Sequence, residues 1–149
     1  MQTLRKKVKR LEPVIEGRQT RFDEENQKLV ELRQRKASTV AAMRAKQREY
    51  MEGVERLNDE RGTANRLMLE ALETGLDNVK TQWMRFYQAV VEIEREEKAQ
   101  AEIMGQAHRE LEAIKTLQNK YRVEVTREMD RRDQKNMDEH SLRKFLRAP

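Results

Sequence analysis

The chain has 149 residues, of which 40% are charged and only 36% hydrophobic, with a formal net charge of +5. So polar a composition excludes a large globular core: the chain either stays disordered or gathers its apolar residues into a narrow seam, and abundant Ala, Glu, Lys, Leu, Arg and Gln with almost no Pro favours the seam. The absence of cysteine excludes disulfides, thiolate metal sites and a cysteine nucleophile, and with neither an apolar run of about 18 residues nor an apolar signal core after MQTLRKKVKR, a cytoplasmic protein is expected.

Along the first half, a step of seven residues reads Val8, Ile15, Phe22, Leu29, Lys36, Met43, Tyr50 and Leu57, with only Lys36 breaking the apolar series. Leu4, Leu11 and Leu32 accompany it, and the companion stripe shifts by one residue to Val40 and Val54. Such drift is expected when a nearly straight helix outlasts a strict 3.5-residue repeat. Pro13 interrupts the first series, removes one helical hydrogen bond and predicts a kink or a helix start near Glu12. The second half carries a cleaner pattern: Leu69, Leu76, Trp83, Val90, Met104, Leu111 and Val125 at a, and Leu72, Val79, Phe86, Ile93, Ala107, Ile114 and Tyr121 at d. Its gaps are Glu97, Gln100 and Gln118.

Two long amphipathic helices with narrow stripes bury them most simply against each other. The fold class expected is therefore all-α, a monomeric antiparallel two-helix coiled-coil hairpin with the second helix the longer. Two segments compete for the turn, LNDERGTANR around Gly62 and ALETGLDNVK around Gly75. Gly62 is preferred, with a left-handed C-cap there, Thr63 capping the next helix, and Glu25 facing the polar gap from Glu97 to Gln100. The expected single domain has helix 1 at about 3–58, the tip at about 59–65 and helix 2 at about 66–145. At about 1.5 Å per residue the arms would measure about 85 and 120 Å.

The motifs of catalysis are missing. No Gly-rich phosphate loop or nucleophile elbow occurs, and His108 and His140 are too far apart to share a helical turn. Among Asp130, Asp133, Asp138 and Glu139 the interleaved Arg131, Arg132 and Lys135 neutralise any cation site. A two-helix hairpin builds no dry concave pocket by itself, so neither an enzyme nor a cofactor or metal site is expected. Charges alternate in sign through ELRQRK, VERLNDER, EIEREEKAQ and REMDRRD, the pattern of solvated helix faces, and only RKKVKR and SLRKFLRAP are distinctly basic. Specific nucleic-acid binding ranks below a protein partner. In QWMRFYQAVV, Trp83 and Phe86 fit the seam, yet an indole is bulky for two helices and is a candidate anchor flanked by Met84 and Tyr87.

DQKNMDE at Asp133 to Glu139 resembles the C-terminal signature of the flagellar export protein FliJ family, a DQKxMDE run before a short basic end. QREY at Gln47 to Tyr50 and GTANR at Gly62 to Arg66 are similar to that family's helix-one tyrosine and Gly-containing turn. The family has injectisome relatives called YscO or SctO proteins. The resemblance implies a stalk in a type III secretion apparatus, similar to the gamma subunit of rotary ATPases. It would insert in the hexameric secretion ATPase, contact the cytoplasmic ring of the export gate, engage export chaperones and be peripheral to the inner membrane. Carried over by position, the ATPase contact falls on Arg5, Lys6, Lys9, Arg131, Arg132, Asp133, Lys135, Met137, Asp138 and Glu139. The export-gate contact falls on Met43, Tyr50, Leu72, Leu76, Val79, Trp83 and Tyr87. Lys46 stands where flagellar members can have an aromatic, and several gate positions are also seam positions, which full burial would withhold from a partner. The residues alone leave two other readings open: a generic coiled-coil adaptor or chaperone, and a basic nucleic-acid-associated coiled coil.

Overall fold

The structure, a computed structural model, describes residues 2–147. It consists of two helices, α1 (Gln2–Glu60) and α2 (Arg66–Arg147), packed as an antiparallel hairpin in which α2 is the longer. Among the described residues there are no strands and no helix long and apolar enough to cross a membrane. Heptad periodicity accounts for the helices, because each stripe is too narrow to be covered except by a second helix. Gly75 lies inside α2, and the chain reverses at 61–65.

The turn differs in mechanism from the one expected. No described glycine has a positive φ, so Gly62 does not make a left-handed cap. Instead the Glu60 carbonyl accepts from the Thr63 N–H at 3.1 Å and from the Ala64 N–H at 2.8 Å, which ends α1 in a right-handed turn. Nor is Thr63 the cap of α2. The Asn65 side-chain oxygen accepts from the Met68 N–H at 2.8 Å, satisfying one of the first-turn donors that a helix leaves open. At Pro13 the chain is helical on both sides of the proline, so of the two expected alternatives a separate helix start near Glu12 does not occur. Seam packing on both sides of the proline holds it there: Val8, Leu11 and Ile15 are all half-buried against α2.

The contacts between the helices gather into two units, each with its own core. One comprises α1 up to Glu25 and α2 from Met104 onward. Its buried residues are Ala107, Leu111 and Gln118. Gln118, a gap in the heptads, donates from Nε2 to the Val8 carbonyl at 3.1 Å, so the buried amide is partnered. Arg18 and Arg21 converge on the Glu110 carboxylate at 2.6 and 2.8 Å, and Phe22 packs on His108 with ring centroids 5.3 Å apart. Lys7 lies over the Tyr121 ring. The second unit runs from Asn26 to Ile103 and buries Leu29, Leu57, Val90 and Ile93. Full burial of such a side chain contributes about 1.5–3 kcal/mol.

Within this unit Glu97 faces Lys36, whose Nζ approaches Oε2 at 3.2 Å, with Arg33 at 3.6 Å. The interruption at Lys36 in the first series therefore meets the one at Glu97 in the second. A half-buried cation opposite a half-buried carboxylate is more favourable than either facing leucine, and this fixes the alignment.

Candidate interaction surfaces

The first surface is the free end of α2. Every residue from Arg131 to Arg147 is exposed, including Met137, Leu142, Phe145 and Leu146. Arg131, Arg132, Asp133, Lys135, Met137, Asp138 and Glu139 thus stand in solvent, and Gln134 donates to Asp138 at 3.2 Å along the same helix. Arg5, Lys6 and Lys9 are exposed on α1 in the same unit. Arg5 lies 3.5 Å from the Met129 sulfur, and Leu4 shares a groove with Arg127 and Arg131. The N-terminal cations are therefore brought beside the beginning of the 131–139 segment. Besides Met137, this end exposes Leu142, Phe145 and Leu146 on an otherwise basic stretch.

A second surface lies in the unit that holds the turn. Met43, Tyr50, Leu72, Leu76, Val79 and Trp83 are half-buried, whereas Tyr87 is 52% exposed. This resolves the conflict between seam and surface in physical terms. From Leu72 to Ala89 no α2 residue is fully buried, although full burial resumes at Val90 and Ile93. Trp83 lies within this interval, its ring against Tyr50 at 5.8 Å between centroids, and so large a pair leaves edges that two helices do not fully cover. Close approach is restored nearer the turn, where Gly53 lies directly against the Leu76 side chain and a Cβ there would collide with it.

The alignment brings together a feature that the separate halves do not display. Residues 32–48 of α1 contain no Asp or Glu, and neither do residues 78–91 of α2. The Tyr50–Trp83 contact and the groove shared by Lys46, Gln82, Arg85 and Phe86 set these stretches against one another. Lys36 and Arg35 find carboxylates on α2 at Glu97 and Glu96, but further toward the turn Lys46 pairs only within its helix, with Glu49. Arg44, Arg48, Lys80 and Arg85 are exposed and form no ion pair among the described residues. Reading the basic character from chain ends alone missed this band; the missing acids in both stretches were the signal.

The grooves along both units are open to solvent, and no group of His, Asp and Glu is arranged to hold a metal among the described residues. Fold and surfaces together define an all-α two-helix hairpin that, over the described residues, displays its side chains along an open scaffold. The chain matches the family model described as Flagellar FliJ protein over residues 6–149. It therefore belongs to the flagellar FliJ family, whose members are non-catalytic components of flagellar export. No curated protein and no solved structure matches it.

Proposed function

We propose that this protein is the central stalk of a type III export apparatus, working in the cytoplasm at the inner-membrane export machinery. Its end formed by Arg5, Lys6, Lys9 and the 131–139 segment enters the ring of a hexameric secretion ATPase. The section around Met43, Tyr50, Leu72, Leu76, Val79, Trp83 and Tyr87 meets the cytoplasmic ring of the export gate, and empty export chaperones are engaged as further partners. Membership of the FliJ family supports the setting, and the observation that carries the ATPase contact is the exposed, mixed-charge helix from Arg131 to Glu139. A stalk inside a ring of repeated subunits cannot match all of them at once. Its contacts must be shallow and electrostatic, and exposed ion pairs worth about 0.2–1 kcal/mol each, with Met137 as a soft anchor, meet that need.

Deleting residues 131–149 abolishes ATPase association and stimulation of hydrolysis while leaving the remaining hairpin helical and its thermal stability nearly unchanged, because every residue from 131 to 147 is exposed. Binding of the intact chain weakens as salt rises toward 1 M, where the screening length is only about 3 Å. A truncated chain that still stimulated the ATPase at physiological salt would overturn the stalk assignment of this end.

A further inference from the structure

The acid-free band has a definite face. In heptad terms Tyr50 and Trp83 are a positions. Lys80 and Tyr87 then occupy e on α2, Met84 occupies b, and Arg44 and Met51 occupy b on α1. In an antiparallel pair the e and b positions of both helices lie on one flank of the seam, because reversing a right-handed helix reverses the sense in which its residues step around the axis. One flank therefore presents Met51 at 51%, Met84 at 46% and Tyr87 at 52% exposure, with Arg44 and Lys80 exposed among them. Beside this flank the seam is incompletely covered at Trp83. Three exposed apolar side chains, unpaired cations and an open seam on one side of two helices leave the position of a third helix vacant.

We infer that this flank binds an acidic amphipathic helix of a partner protein, laid along the groove between α1 and α2. Its apolar stripe covers Met51, Met84, Tyr87 and the uncovered edge of Trp83. Carboxylates on its margins meet Arg44 and Lys80. Charge complementarity selects this occupant: a basic helix would meet like charge at Arg44 and Lys80, and a second copy of this chain would bring the same cations face to face. The inference extends the export-gate reading, with which it shares Trp83 and Tyr87, by assigning the partner element its fold and charge.

Trp83 is the only tryptophan in the chain, so its emission reports coverage of the groove. Full-length protein is titrated with a tryptophan-free heptad peptide bearing Leu at a and d and Glu at its margins, and with the same peptide bearing Lys for Glu. The acidic peptide shifts Trp83 emission to the blue and the basic peptide does not. In the double variant Arg44→Glu/Lys80→Glu the preference reverses, with acidic-peptide affinity falling at least about tenfold. Both positions are exposed, so helicity stays that of the parent. Equal binding of both peptides, or an unchanged preference in the double variant, overturns the inference. So does an oligo-dT that produces the shift with a steeper salt dependence, which would make the flank a single-strand nucleic-acid platform. If the peptide preference reverses while binding to the gate's cytoplasmic ring is unaltered, the inference stands and the gate assignment falls.

Discussion

Replacing both Lys36 and Glu97 by leucine tests whether the polar pair sets alignment or supplies stability. The Lys36 and Glu97 side chains are 33% and 22% exposed. Two leucines there would each be about two-thirds to three-quarters buried, and scaling the 1.5–3 kcal/mol of full burial gives about 1–2 kcal/mol per site. The lysine stem already covers some apolar surface, so the gain at position 36 falls toward the lower figure. Against this stand the Lys36–Glu97, Lys36–Glu94 and Arg33–Glu97 contacts at 3.2, 3.8 and 3.6 Å. At about 0.2–1 kcal/mol each for solvent-screened pairs, the three total about 0.6–3 kcal/mol. The double variant should therefore unfold in urea at equal or higher stability, by up to about 2 kcal/mol. A double-mutant cycle should give a coupling of about 0.5–1 kcal/mol that vanishes in 1 M salt. What the variant loses is the penalty on sliding one helix by a heptad, so size-exclusion chromatography with light scattering should detect alternative pairings or dimers. A double variant less stable than the parent by more than about 1 kcal/mol, yet still uniformly monomeric, would refute this reasoning.

Glycine substitutions should separate close approach from mere helix weakening. Gly53→Ala places a methyl into the Leu76 side chain and should lower stability by about 1–3 kcal/mol, whereas Gly75→Ala, with open space around it, should raise stability by about 0.5–1 kcal/mol; thermal melts of the two variants should move in opposite directions. At the turn, Asn65→Ala should cost about 1 kcal/mol through loss of the cap on Met68, while Thr63→Ala should stay within about 0.5 kcal/mol, both read from urea midpoints.

Much of this architecture is legible from one chain of letters because the information is periodic. A heptad stripe needs no long-range knowledge to be recognised, and a second stripe beyond a polar, glycine-containing interval says that the chain folds back on itself. The seam positions followed directly: Leu29, Leu57, Val90, Ile93, Ala107 and Leu111 all lie on the two series and are buried. DQKNMDE pointed to the family for a different reason, since an ordered run of charges on an exposed helix end has no packing constraint to satisfy.

Alignment was decided only in the tertiary structure. A heptad pattern is nearly unchanged by sliding one helix seven residues past the other, so the sequence did not say that Lys36 meets Glu97 or that Gln118 reaches the Val8 carbonyl. The turn was likewise settled by hydrogen-bond geometry, because glycine permits a left-handed conformation without requiring it, and Asn65 stood where its oxygen could reach Met68. The acid-free flank belongs to the same class. Each stretch without carboxylates is inconspicuous by itself, and only the register that sets Tyr50 against Trp83 joins them into one basic, aromatic face. Periodicity in one dimension fixes which side of a helix is buried; how far two such helices are shifted along each other depends on the few residues that break the period, and these declare their partners only when the chain has folded.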